Sequence, residues 1–193
     1  KQYMETNPCE HIKSIKEEDK KRTAISPEDL KRITKYLSEN DPYYLLVCRM
    51  EYYTFIRPEE LTNIKLCDIN LKEQKILVAS NISKNRRDGM VGLNDEIIKQ
   101  MIDLHIFDND TNCYLFSKGF KPGYKKITTR VIRDRFYKLR SVLKLPDTYL
   151  FYSFKDSGIR DLANSAGIVV ARDQARHTDI STTNKYLKGS SLT

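Results

Sequence analysis

The run Ala175-Arg176-His177-Thr178-Asp179-Ile180-Ser181-Thr182-Thr183-Asn184-Lys185-Tyr186 sets a histidine and a tyrosine nine residues apart. Ser181-Thr182-Thr183 can cap a short helix that carries the tyrosine, since hydroxyl side chains accept from free amides at a helix start. A phenol is unreactive until a nearby cation or base lowers its proton affinity. Tyr186 is therefore either an ordinary residue ending a surface helix or a nucleophile set among cations. The residues upstream distinguish the two.

Immediately upstream the chain reads as helical, over about 154–165, 170–175 and 181–186. Before that lies the most basic segment. Lys118 to Lys144 holds ten Lys and Arg against one acid, Asp134. Its charge of about +9 exceeds the +8 of the whole 193-residue chain, so the basicity is local, as a phosphate-binding face requires. Within it, Ile132, Phe136, Leu139 and Leu143 make an apolar helical stripe. Arg130, Arg133, Tyr137, Arg140 and Lys144 make a cationic one. A helix with one packed and one cationic face can dock on a DNA backbone.

The N-terminal half continues the helical pattern. Ser26-Pro27-Glu28-Asp29 combines a capping serine, a first-turn proline and first-turn acids. A nearly apolar helix follows Asp41-Pro42 to about Phe55, and a third begins near Pro58. Three short strand-like segments come next: Asp68–Leu71, Lys75–Ala79 and Gly89–Leu93. The expected fold is α+β, mainly α-helical, with a small three-stranded antiparallel sheet. Residues 1–23 are polar and uneven, and read as a linker; residues 24–193 read as one domain.

Composition narrows the function classes. Hydrophobic content of 39% with 31% charged residues suits a globular protein. No stretch approaches the ~20 apolar residues of a membrane span. Cys9, Cys48, Cys67 and Cys113 are scattered without metal-ligand spacing. Apolar neighbours suggest that Cys48 and Cys67 are buried thiols, and a cytoplasmic location follows as an expectation.

Breaking a phosphodiester without a metal needs an in-line nucleophile, cations on the non-bridging oxygens, and an acid for the leaving oxygen. Side chains of these types recur here in order. Thr54-Phe55-Ile56-Arg57-Pro58-Glu59-Glu60-Leu61 resembles the Thr-Gly-Leu-Arg-x-x-Glu-Leu box of the tyrosine recombinases, the phage integrase family. Ser83 to Leu93 resembles the hairpin loop that carries the family's lysine, with Lys84 at that place and Arg86 and Arg87 beside it. Tyr152 and Lys155 stand where the His-x-x-Arg box has its histidine and arginine. His177 matches the Gly-His histidine, with Arg176 in place of the glycine, and Tyr186 falls at the nucleophile.

What the resemblance implies is a catalytic domain for DNA integration or recombination. Tyr186 would attack the phosphate, with Arg57, Lys155 and His177 around it, Lys84 protonating the leaving 5′ oxygen, and Tyr152 and Arg176 supporting. A 3′-phosphotyrosyl link would conserve the bond energy, so no cofactor is implied, and no metal. Lys125, Lys126, Arg130, Arg133, Arg140, Arg86 and Arg87 are the expected contacts to double-stranded DNA. A preceding core-binding domain is expected, with four protomers on DNA for the longer protein and a monomer for this portion. Lys155 keeps a charge but lacks the bidentate fork of arginine. Arg160, Arg172 and Arg176 could supply one, and the sequence does not rank them. The competing expectation is a degenerate domain that binds DNA without cleaving it.

Overall fold

A computed structural model describes residues 22–79 and 88–187. Helix α1 (Pro27–Asn40) begins as its sequence dictates, with the Ser26 hydroxyl accepting from the Asp29 amide at 3.1 Å. It buries Ile33 and Leu37. Helix α2 (Pro42–Thr54) is capped by Asp41, whose carboxylate accepts from the Tyr44 amide and from Arg135. It is buried over most of its surface, as an apolar helix with no polar face must be. Its end is enforced by Phe55 at φ 56, in the left-handed region, and by Pro58, which opens the single turn α3 (Pro58–Leu61).

The sheet is a meander of β1 (Ile69–Asn70), β2 (Lys75–Val78) and β3 (Gly89–Gly92), antiparallel in the order β1-β2-β3. Ile76 pairs with Val91 and both are buried, so alternate side chains face the core. Helix α4 (Asp95–Asp103) follows, then α5 (Thr129–Leu143), α6 (Ser153–Ala166), α7 (Ile168–Gln174) and α8 (Ile180–Leu187). The expected fold class holds.

Two clusters form the interior. The larger joins α1, α2, the sheet, α4, α5 and the start of α6. The smaller consists of Phe55, Ile159, Ala171 and Ala175, with Tyr186 packed against it. They meet where α6 crosses α2, at Gly158: a β-carbon there would lie 1.8 Å from the Tyr52 carbonyl oxygen. Only glycine permits that approach.

Several local expectations are corrected. Cys67 is exposed, because it sits in the 3-10 turn before β1, while Cys48 and Cys113 are buried. The strand expected over 68–71 shrinks to two residues. Helix α8 starts at Ile180, with the Asp179 carboxylate accepting from the Ser181 amide, so Asp179 and not the hydroxyl run holds its start. Of the expected linker, Arg22 and Thr23 are described, and both are anchored. The Thr23 amide donates to the Thr148 carbonyl, and Arg22 pairs with Asp156 on α6.

Candidate active site

The turn from α2 to α3 presents Arg57. Its amide and its guanidinium both bond Glu60, at 3.1 and 3.3 Å, closing the turn on a carboxylate that is almost fully buried. The same carboxylate takes a second guanidinium, from Arg176, at 2.5 Å. Burial alone would raise the proton affinity of Glu60. The Arg176 charge, the Arg57 amide and the Arg57 charge outweigh it and hold Glu60 below the usual carboxylate range. One anion thus holds two arginine forks together.

Helices α7 and α8 present the other half. The His177 ring lies against the Tyr186 ring, stacked at 17° with centroids 5.8 Å apart. His177 Nδ1 bonds the hydroxyl of Thr183 at 2.9 Å, and Thr183 is fully buried, so the imidazole is fixed from behind. Burial, then the charges of Lys155, Arg57 and Arg176, depress the His177 pKa to about 4. The ring is neutral at physiological pH.

Tyr186 is more than half buried. Burial raises its pKa and the Asp156 charge adds to the rise; the neighbouring Tyr152 hydroxyl and the Arg22 and Arg57 charges oppose it. The Arg22 guanidinium lies over the Tyr152 ring at 4.4 Å and also grips Asp156. Tyr152 thus lies near Tyr186, and burial first of all raises its own proton affinity.

Lys155 is where the structure departs most from expectation. It is fully buried, with Nζ donating to the Phe55 carbonyl at 2.7 Å. Burial lowers its pKa, and Glu51 opposes that shift. Glu51, on α2, is also fully buried, and among the described residues neither of its oxygens has a hydrogen-bond partner. Burial drives its proton affinity up, against the pull of Lys155. This ammonium is held inside, yet close enough to His177 for its charge to depress the imidazole.

Of the expected site residues, the structure thus gathers Arg57, Tyr152, Arg176, His177 and Tyr186, and places Lys155 behind them. Lys84, Arg86 and Arg87 lie outside the described residues. Of the expected DNA contacts, Lys125, Arg130 and Arg133 are exposed, and Lys126, also exposed, bonds Asn63. Arg140 is not free in the same way: it donates to the carbonyls of Asp147 and Tyr149 and closes the loop after α5. Sequence reasoning missed Arg22, Asp156 and the Thr183 support of His177. It also missed Glu51, for which a lone acid in an otherwise apolar helix was the available signal.

A sequence profile described as the phage integrase family matches residues 23–191. Among solved structures the chain is similar to the XerA recombinase, with TM-score 0.71 and 21% identity over 85% of this chain and 59% of that one. It is similar to a lambda integrase dimer bound to a COC′ core site, with TM-score 0.71 and 14% identity over 90% of this chain and 62% of that one. It is also similar to the XerH site-specific recombinase bound to a palindromic difH substrate in a post-cleavage complex, with TM-score 0.73 and 14% identity over 97% of this chain and 56% of that one. At these identities the likeness is one of fold. The chain spans less than two thirds of the length of each of these proteins. No curated protein sequence matches it.

Proposed function

The chain belongs to the phage integrase family, and we propose that it is the catalytic domain of a site-specific DNA recombinase that integrates or excises a mobile element. The observation that carries this is the stacking of His177 on Tyr186 beside the paired forks of Arg57 and Arg176. A phenol, an imidazole held at Nδ1 and two guanidiniums are the groups that an attacked phosphodiester needs.

In this mechanism the Tyr186 hydroxyl gives its proton to solvent and its oxygen forms a bond to phosphorus while the bond to the 5′ oxygen breaks. The leaving oxygen takes a proton, assigned by sequence position to Lys84. The guanidiniums neutralise the non-bridging oxygens. With the Thr183 hydroxyl donating to Nδ1, the His177 proton sits on Nε2, where it can be donated to a phosphate oxygen. One phosphate ester replaces another, so the step needs no external energy source. Reversal by a second 5′ hydroxyl completes strand exchange. The exposed cations of α5 and the loop before it supply the double-stranded DNA contact, four protomers assemble on DNA in the full-length protein, and the site of action is the cytoplasm.

A duplex carrying the element's junction site, nicked so that the leaving strand diffuses away, tests this. The expected result is a covalent protein–DNA adduct that disappears in Tyr186→Phe. A second reading, binding without cleavage, is favoured by the burial of Lys155. It predicts tight site binding by the full-length protein and no adduct.

A further inference from the structure

We infer that Arg176 is a catalytic residue, supplying the second guanidinium that grips the scissile phosphate in place of the cation at position 155. This rests on the recombinase reading above.

Lys155 is fully buried, donates to the Phe55 carbonyl and, as an ammonium, has no fork to offer a pair of phosphate oxygens. A second fork must come from elsewhere, since the charge on two non-bridging oxygens is poorly matched by one fork. Arg160 is turned to Asp161 and the Ile25 carbonyl, and Arg172 to Asp173. Neither reaches the pair of forks on Glu60.

Arg176 does, and three independent features show that the fold is shaped to hold its side chain. First, Arg176 has φ 55, in the left-handed region. A residue with a β-carbon is strained there, and such strain persists where the surrounding structure requires it. Second, β3 leaves space for the side chain. A β-carbon at Gly89 would fall 2.7 Å from Arg176 Cδ, so the strand passes at a distance that only glycine allows. Third, one Nη is fixed by Glu60, yet Nε has no hydrogen-bond partner among the described residues. The guanidinium is anchored but not saturated. Because Glu60 also holds Arg57, the two forks are set side by side next to His177, whose proton affinity registers both charges. That is the arrangement of a two-pronged anion site, with donors fixed before the phosphate arrives.

The test uses the full-length protein with nicked junction duplexes carrying either a normal phosphate or a methylphosphonate at the scissile position. The methylphosphonate removes the charge on one non-bridging oxygen. Arg176→Lys keeps the charge and a donor for Glu60 but removes the fork. Arg176→Gly removes both and suits the backbone conformation. On the phosphodiester, both variants are expected to form adduct ~100-fold or more slowly than wild type, the scale of losing one preorganised donor. Duplex binding and the melting temperature of Arg176→Lys should stay near wild type. On the methylphosphonate the Arg176→Gly defect should shrink at least tenfold. Wild-type adduct rates in Arg176→Lys overturn the inference and leave the recombinase reading standing. So does an equal defect on both substrates, which marks a merely structural role. Absence of adduct in the wild type itself overturns both.

Discussion

Gly158→Ala tests the contact on which the site is assembled. Helix α6 carries Lys155 and starts directly after Tyr152, and α2 leads into the turn that carries Arg57. The two helices touch at Gly158, where an added β-carbon would stand 1.8 Å from the Tyr52 carbonyl oxygen, 2.8 Å from its carbon and 2.7 Å from Phe55 Cε1. Ordinary contact begins at 3.4 Å. The methyl group therefore needs α6 to retreat by about 1.5 Å, and the nearest obstacle is backbone, which cannot rotate aside. Overpacking of this kind costs about 1–3 kcal/mol, and backbone on both sides places this case at the upper end. At about 2–4 °C per kcal/mol for a chain of this size, the melting temperature should fall by roughly 6–12 °C. The retreat also pulls Lys155 Nζ from the Phe55 carbonyl, now at 2.7 Å, so adduct formation should fall even below the melting transition. Gly92→Ala is the matched control: its β-carbon would meet only the Gln174 amide, at 3.5 Å, and should leave both readouts unchanged. Calorimetry and the nicked-duplex assay on the two variants decide the matter. Gly158→Ala melting within about 2 °C of wild type would refute the packing described at this crossing.

Other consequences follow from single contacts. Tyr152→Phe removes the donor that opposes the upward shift of Tyr186; the pH dependence of adduct formation should move to higher pH, and an unchanged profile would dismiss Tyr152 as a partner. The folded His177 pKa of about 4 lies below its usual 6.5. The folded state therefore binds fewer protons than the unfolded one, and this contribution to stability, present above pH 6.5, is lost as pH falls towards 4. A proton NMR titration should place one imidazole midpoint near 4, absent in His177→Gln; a midpoint at or above 6.5 contradicts the burial described. Gly89→Ala should displace the Arg176 side chain and slow cleavage about tenfold or more with little loss of duplex binding, measured by gel shift. Arg133→Glu should weaken duplex binding and flatten its salt dependence, because Arg133 is exposed on α5. Arg140→Met should instead lower the melting temperature, because Arg140 holds backbone carbonyls.

Much of the fold was legible because local chemistry and tertiary packing agree. Ser26 and Asp41 cap the helices that they precede, and the uniformly apolar α2 is the buried helix. The order of Arg57, Tyr152, His177 and Tyr186 along the chain also foretold which residues meet. What stayed hidden depends on partners distant in sequence. Arg140 lies on the cationic stripe of α5, yet the carbonyls that occupy it belong to the following loop. Lys155 stands by resemblance at the place of a phosphate-binding arginine, and the closeness of α2 and α6 at Gly158 puts it inside. Cys67 reads as buried from its apolar neighbours, but a 3-10 turn rotates it outward.

The two places where a glycine of the family pattern is replaced, Phe55 and Arg176, are both left-handed, at φ 56 and 55. Both residues thus hold a conformation that glycine adopts at less cost. At Phe55 the cost is offset twice. Its ring fills the smaller core cluster, and its carbonyl takes the Lys155 ammonium, a charged bond of about 1.5–3 kcal/mol. That bond ties α6 to the turn two residues before Arg57, so Lys155 acts on the site through the backbone that presents the arginine. At Arg176 the offset is the Glu60 carboxylate, which also holds Arg57. Both departures therefore converge on one arginine from opposite sides. Lys155 fixes the turn beneath it, and Arg176 shares its anchor. On the inference drawn above, the arginine at 176 supplies from the start of the α7–α8 turn the fork that the lysine at 155 lacks.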